Sequence, residues 1–299
     1  MAWWTCHILN GDAFFCGCGL IVLSVLVAWY AEHRSVMAAA FGVAILGWLL
    51  LLISSPLQPL WLYGLEMAGF IVWLWTNRKL STPCAIRICA SLSLLAVSLL
   101  LALHELRHAL SPGIPPIIAQ RFCVIGDSLS AGVRTNEVSW PAVLAKRHDV
   151  QVASFARPGA RLQDALAQAD HLTPSDTLVL LEIGGNDLLG GTPLREFERD
   201  MTRLLDAVSK PGRVMLMLEL PLPPLCNLYG AAQRHIADKF GVVLIPKRHL
   251  VAVLCGQAAT IDGLHLSQSG HDHMAKMVWR FVGPSLSTAN SKPRLTGGQ

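Results

Sequence analysis

Four long apolar runs crowd the first third of the chain, at about residues 14–30, 36–53, 59–75 and 84–103. Each has the roughly 17–25 residues that a helix needs to cross about 30 Å of hydrocarbon. Helices on the surface of a soluble protein keep a polar face, and these runs have none. They predict a membrane domain of about four transmembrane helices over residues 1–110. The breaks carry turn and polar chemistry: Glu32-His33-Arg34-Ser35, Ser54-Ser55-Pro56, and Asn77-Arg78-Lys79 running on to Pro83. Trp29, Tyr30, Trp61, Tyr63, Trp73 and Trp75 lie near run ends, where aromatic belts form.

Charge follows the same division. Residues 1–110 hold five of the 24 Lys/Arg and four of the 20 Asp/Glu, but seven of the nine Trp. Residues 111–299 are charged like an ordinary soluble domain. Arg34 marks the first connection, and Arg78 and Lys79 mark the third, with Arg87 just inside the fourth run. The positive-inside rule then places those loops in the cytoplasm and everything after the fourth run outside. Arg107, just past that run, pulls the other way. The expected location is a bacterial inner membrane with the second domain extracytoplasmic. The first run has no basic segment before it and no small-residue cleavage site, so it is not expected to be removed as a signal peptide. A net charge of +4 without a clustered basic run gives no footprint for nucleic acid.

Beyond a Pro/Gly-rich linker at 111–117, short apolar runs alternate with helical patterns across 118–285, and a tail at 286–299 is expected to be disordered. Strands are predicted at about 121–125, 150–154, 177–182, 214–220 and 242–245. Helices are predicted at about 140–147, 162–169, 194–209, 228–240 and 267–281. Such alternation predicts a mostly parallel sheet covered by helices on both faces. Sites in such folds form at the carboxyl ends of strands. Gly126-Asp127-Ser128 follows the first strand, Gly159 lies after the second, and Gly184-Gly185-Asn186-Asp187 follows the third. Asp262 and His265 precede the last helix.

Those residues have the chemistry of acyl transfer. A serine hydroxyl needs a base to accept its proton. Asp262-Gly263-Leu264-His265 sets a carboxylate three residues before an imidazole, so that one ring nitrogen is held while the other faces the serine. The backbone N–H groups of Ser128 and Gly159 and the Asn186 amide are candidate donors for an oxyanion hole. The ordered set resembles the GDSL/SGNH serine hydrolases. The blocks that carry the resemblance are Ile125-Gly126-Asp127-Ser128-Leu129-Ser130-Ala131-Gly132, Gly184-Gly185-Asn186-Asp187, and Asp262-Gly263-Leu264-His265-Leu266-Ser267 with Gly270-His271. The second block, Ala156-Arg157-Pro158-Gly159-Ala160, lacks the asparagine common in the family. The resemblance spans about 118–285. It implies a three-layer α/β/α (flavodoxin-like) fold and a small-molecule, lipid or glycan acyl ester as substrate. It implies no metal or cofactor. Ser128 becomes the nucleophile, His265 the base, Asp262 its partner, and Ser128, Gly159 and Asn186 the oxyanion hole. An acyltransferase using the same triad, and a membrane ligand-binding or transport protein without turnover, remain alternatives.

Three further features stand outside that pattern. His104-Glu105-Leu106-Arg107-His108 matches the zinc motif H-E-x-x-H, but lies at the end of the fourth run, soon broken by Pro112 and without an apparent third ligand. Glu66 sits inside the third run, where an acid is functional, sits near a shallow or tilted helix end, or hydrogen-bonds to a neighbouring helix. Cys226 and Cys255 are a candidate disulfide if the domain is exported.

Overall fold

The computed structural model describes residues 2–54, 58–78, 82–115, 119–224 and 226–287. The tail expected over 286–299 lies mostly outside them. The chain forms two compact units, Trp3–Leu110 with Pro221–Ala231, and Ser111–Leu220 with the residues from Ala232 onward.

The first unit is helical, with α1 (Trp3–Leu9), α2 (Asp12–Trp29), α3 (Arg34–Ile53), α4 (Leu60–Asn77) and α5 (Cys84–Ala109). Its core holds Phe14, Ile21, Val25, Leu51, Trp73, Leu94 and Leu101. Its exposed faces are apolar too, with Leu46, Leu49, Val72, Leu99 and Leu100 all outward. An all-round apolar surface suits hydrocarbon and not water. The pair α2 and α3 crosses at two glycines. A methyl on Gly17 would come 2.7 Å from the Gly47 carbonyl oxygen, and one on Gly47 2.8 Å from that of Gly17. Small residues at such a crossing let helices approach closely where no hydrophobic effect drives them together.

Four spanning helices were expected, and among the described residues three are long and apolar enough: α2, α3 and α5. The third apolar run does form a helix, α4. Glu66, Thr76 and Asn77 dilute its hydropathy, as do its three tryptophans, whose amphipathic rings favour the interface over the hydrocarbon. Glu66 is fully buried and accepts a 2.6 Å hydrogen bond from Ser98 Oγ on α5. The acid is thus bonded to a neighbouring helix, one of the three readings its position allows.

In the second unit the elements run β1 (Arg121–Gly126), α6 (Ser128–Ala131), α7 (Trp140–His148), β2 (Gln151–Ser154), α8 (Leu162–Ala169), β3 (Leu178–Glu182), α9 (Gly185–Leu189), α10 (Leu194–Val208), β4 (Val214–Leu218), α11 (Asn227–Lys239), β5 (Val243–Ile245), α12 (Lys247–Leu254) and α13 (Gln268–Ser287). The five strands are all parallel, in the order β2-β1-β3-β4-β5. Their side chains alternate between faces. Phe122, Val124, Leu178, Leu180, Leu216 and Leu218 pack in one core with Trp140 and Leu144 of α7, Leu250 of α12, and Met274 and Val278 of α13. The alternate set, including Cys123, Val179 and Met217, is also buried. It turns to the other face, where α8 and α10 pack together. Helices therefore cover both faces, giving the three-layer α/β/α arrangement. The chain leaves β1 for β2 on one side and returns to β3 on the other. The carboxyl ends of β1 and β3 thus flank the switch point where such sheets bind ligands.

Candidate active site

Ser128 is the first residue of α6, directly after β1, and is 8% exposed. The turn that presents it is tied from several sides. Asp127 caps α6, its Oδ1 accepting the Leu129 N–H at 2.9 Å. The Gln168 amide clasps Gly126, accepting from its N–H at 2.9 Å and donating to its carbonyl at 3.0 Å. The loop after β2 runs alongside, with Arg157 N–H bonded to the Gly126 carbonyl at 3.1 Å. That loop turns through Gly159, whose φ of +75° favours glycine.

Asn186 joins the two loops. Its Nδ2 donates to the Ala160 carbonyl at 2.9 Å and to Asp127 Oδ2 at 3.2 Å. Its neighbour Asp187 accepts the Leu162 N–H at 2.9 Å, fixing the start of α8 against α9. Burial raises the Asp187 carboxyl above its ordinary range. The structure thus brings the Ser128 turn, the Gly159 turn and Asn186 to one edge of the sheet.

The last two residues sit on a narrow loop before α13, closed by an Ile261 N–H to His265 carbonyl bond of 2.9 Å and a bridge between Thr260 and Leu266. Asp262 Oδ2 lies 2.7 Å from His265 Nδ1. Asp262 Oδ1 accepts the N–H groups of Leu264 and His265 at 2.9 and 2.8 Å. The bond to His265, with these amides, holds the Asp262 carboxyl well below the usual carboxylate range. Their side chains are 51% and 36% exposed. His265 lies within electrostatic reach of Asp127, next to Ser128. Among the described residues no hydrogen bond joins Ser128 Oγ to His265. Catalytic bonds of this kind often tighten only when substrate is bound.

Beneath this edge lies a buried polar group that the sequence patterns did not flag. Glu182, at the end of β3, accepts a 2.8 Å bond from Ser130 Oγ, which itself accepts from Trp140 Nε1 at 3.2 Å. The available signal was an acid closing an otherwise apolar strand, Leu178-Val179-Leu180-Leu181-Glu182.

The other sequence candidates have simpler settings. His104 Nε2 is 2.9 Å from an Arg107 guanidinium nitrogen, and His108 Nε2 accepts from the same guanidinium at 3.0 Å. A cation already lies between the two imidazoles. Among the described residues no three His, Cys, Asp or Glu side chains cluster to hold a metal. Cys226 keeps a free thiol, so the pairing of Cys226 with Cys255 is not formed.

A five-stranded parallel sheet in this order, covered by helices on both faces, is the three-layer α/β/α fold of the SGNH hydrolases. The chain belongs to the GDSL-like lipase/acylhydrolase family, which it matches over residues 124–273, and is an esterase/acylhydrolase of that family. It is 32% identical to an arylesterase of Vibrio mimicus over 173 residues, 54% of this chain and 86% of the relative. It is 28% identical to the thioesterase 1/protease 1/lysophospholipase L1 of Escherichia coli K12 over 178 residues, 55% of this chain and 86% of the relative. In fold, it resembles the psychrotrophic esterase EstA from Pseudoalteromonas sp., with 19% identity, a TM-score of 0.50, and coverage of 55% of this chain and 97% of that one.

Proposed function

We propose that Ser128 is the nucleophile of a membrane-anchored acylhydrolase. His265 takes the hydroxyl proton through Nε2 as Ser128 Oγ attacks the ester carbonyl. Asp262 fixes the tautomer and stabilises the imidazolium. The backbone N–H groups of Ser128 and Gly159 and the Asn186 amide receive the negative charge on the tetrahedral oxygen. The same imidazolium returns its proton to the departing alkoxide, leaving an acyl-serine that water, activated by His265, then hydrolyses. The observation that carries this reading is the 2.7 Å Asp262–His265 pair, whose imidazole lies within electrostatic reach of Asp127, the residue next to Ser128.

Lipid acyl esters are favoured over O-acyl groups on glycans. The exposed large apolar side chains of residues 111–220 and 232–287 are Val133, Val138, Leu189 and Leu264, between 43% and 63% accessible. Val133 and Val138 follow the Ser128 helix α6, Leu189 ends the Asn186 helix α9, and Leu264 lies between Asp262 and His265. Apart from these, the described residues from β1 to α13 expose one other large apolar side chain, Leu228 of α11, and an apolar rim gathered around these positions suits an apolar acyl chain. The apolar helices hold the enzyme in a bacterial inner membrane, with the hydrolase unit on the extracytoplasmic side and acyl lipids within reach.

The test is a chain-length series of p-nitrophenyl esters with wild type, Ser128→Ala, and Leu189→Ser combined with Leu264→Ser. The proposal expects no hydrolysis by Ser128→Ala. In the double variant it expects a loss of kcat/KM for long acyl chains with little change for acetyl. Hydrolysis by Ser128→Ala would remove the nucleophile assignment. A wild-type preference for acetyl esters, untouched by the double variant, would remove the lipid preference.

A further inference from the structure

Behind the serine turn runs a line of buried polar groups that the triad does not use. Trp140 Nε1 can only donate, so Ser130 Oγ accepts from it at 3.2 Å and directs its own hydrogen to Glu182 Oε2 at 2.8 Å. Glu182 pairs in register with Gly126, and its main-chain carbonyl accepts the Asp127 N–H at 3.2 Å. Its carboxyl interacts directly with that of Asp127. Asp127 in turn holds the Leu129 N–H at 2.9 Å and Asn186 Nδ2 at 3.2 Å. The line therefore starts in the hydrophobic core and ends on the side chain proposed to bind the oxyanion.

Both carboxyls are buried. The charged groups facing them are Asp187 from α9, another acid, and His265 from the loop before α13. From α8 comes only the neutral Gln168 amide, which is spent on Gly126. Two ionised carboxylates in contact and away from water repel strongly, so such a pair retains one proton. Burial, then the neighbouring Asp127 charge, pushes Glu182 well above the usual carboxylate range. Burial also raises Asp127, but only to about 6. Asp127 accepts two N–H donors, from Leu129 and Asn186, whereas the Glu182 carboxyl accepts the Ser130 hydroxyl, which places the shared proton on Glu182. Ser130 already donates to Oε2, which leaves the other oxygen to carry that proton.

We propose that Glu182 is a positioning residue for ester hydrolysis, its carboxyl acting as a hydrogen-bond donor that fixes Asp127 and, through it, the Ser128 turn and the Asn186 amide. The inference rests on the reading of Ser128 and Asn186 as nucleophile and oxyanion donor. It has a specific consequence at Asn186. Both hydrogens of Nδ2 are engaged, by the Ala160 carbonyl at 2.9 Å and by Asp127 at 3.2 Å. The longer bond is the one a developing oxyanion draws on. An Asp127 carboxylate already satisfied by Glu182 releases that hydrogen more readily than a bare one.

The sign of the pH dependence follows. Below the raised Glu182 value the donor is present. As pH rises through it, the proton leaves, two carboxylates face each other, and the turn loses its register. Wild type should therefore show an alkaline limb in kcat. Glu182→Gln replaces the O–H donor with an N–H donor that does not titrate, and its carbonyl still accepts from Ser130.

The experiment measures kcat and KM of the full-length, detergent-solubilised protein on a p-nitrophenyl acyl ester, from mildly acidic to alkaline pH. Glu182→Gln should turn over near the wild-type rate at neutral pH and lack the alkaline limb. Glu182→Ala should lose roughly ten- to a hundredfold in kcat with KM nearly unchanged, the size of effect that misplacing a catalytic group produces. Glu182→Gln as slow as Glu182→Ala at every pH, or retaining the wild-type alkaline limb, overturns the proposal. If Glu182→Ala does not fold, the profile of the isosteric Glu182→Gln decides alone. Ser128→Ala separates the two levels. Activity in that variant sinks the nucleophile assignment itself, whereas an inactive Ser128→Ala beside an unshifted Glu182→Gln sinks only the role of Glu182.

Discussion

Replacing Asp262 by asparagine keeps the shape of the side chain and removes one capability. Asp262 Oδ1 accepts two backbone N–H groups, from Leu264 and His265, at 2.9 and 2.8 Å. A carboxamide retains both bonds only with its oxygen in the Oδ1 position. Its NH2 group then lies where Oδ2 stood, 2.7 Å from His265 Nδ1. Two donors cannot face each other there, so Nδ1 must become the acceptor and the ring proton moves to Nε2. That is the atom required to accept the Ser128 proton. Where the aspartate is fully buried, this wrong-tautomer effect costs about 10⁴ in kcat. The Asp262 side chain is 51% exposed, so water screens part of the lost charge, and the expected loss is roughly 10²–10³. KM on a short, soluble p-nitrophenyl ester should stay near the wild-type value, because Asp262 orients the base and does not contact the acyl group. The measurement is steady-state kinetics of the two purified proteins side by side. An Asp262→Asn enzyme within about threefold of wild-type kcat would refute the tautomer reasoning.

Two further substitutions test separate parts of the account. Asn186→Ala should lower kcat by about 10² or more with little change in KM, as loss of one oxyanion donor does, and kinetics on the same ester checks it. Asp176 tests stability instead. Burial alone would raise its carboxyl, but the two bonds from Arg121 at 2.7 and 2.6 Å, with the Thr173 N–H and O–H, hold it well below the usual range. Its folded value is depressed, so its contribution is present above an unfolded pKa of about 3.9 and is lost as pH falls further. Asp176→Asn should cost about 2 kcal/mol at neutral pH, discounted for an Arg121 side chain that is 34% exposed, and the variant and wild type should converge in strong acid. Thermal unfolding followed by tryptophan fluorescence reads both.

The elements that frame the site were legible because their sequence patterns are strongly periodic. The apolar runs of β1, β3 and β4 and the helical stripe of Phe197, Met201, Leu204 and Val208 on α10 appear where the residues predict them. Polar groups after apolar strands marked Ser128 and Asn186 as candidates, and a carboxylate three residues before an imidazole marked Asp262 and His265. Other features were hidden for physical reasons. The cationic start of α12, Lys247-Arg248-His249, reads as loop, and its valines favour strands. Helix α13 continues through Pro284 to Ser287, past the position where a proline is expected to end a helix. Helix α4 looks like a spanning segment when its apolar residues are counted, but Glu66 and Asn77 leave it below the hydropathy of the other three. The role of Glu182 depends on Ser130, Trp140 and Asp127, which approach it only once β1, β3 and α7 are packed. No local spacing encodes that meeting.

The central claim is that Ser128 is activated by His265, and fluorophosphonate labelling of isolated membranes tests it most directly. Mass spectrometry should find the adduct on Ser128 in wild type, with labelling abolished in Ser128→Ala and strongly reduced in His265→Ala. An adduct on another residue, equal labelling of the His265→Ala protein, or no labelling of the folded wild type would contradict it.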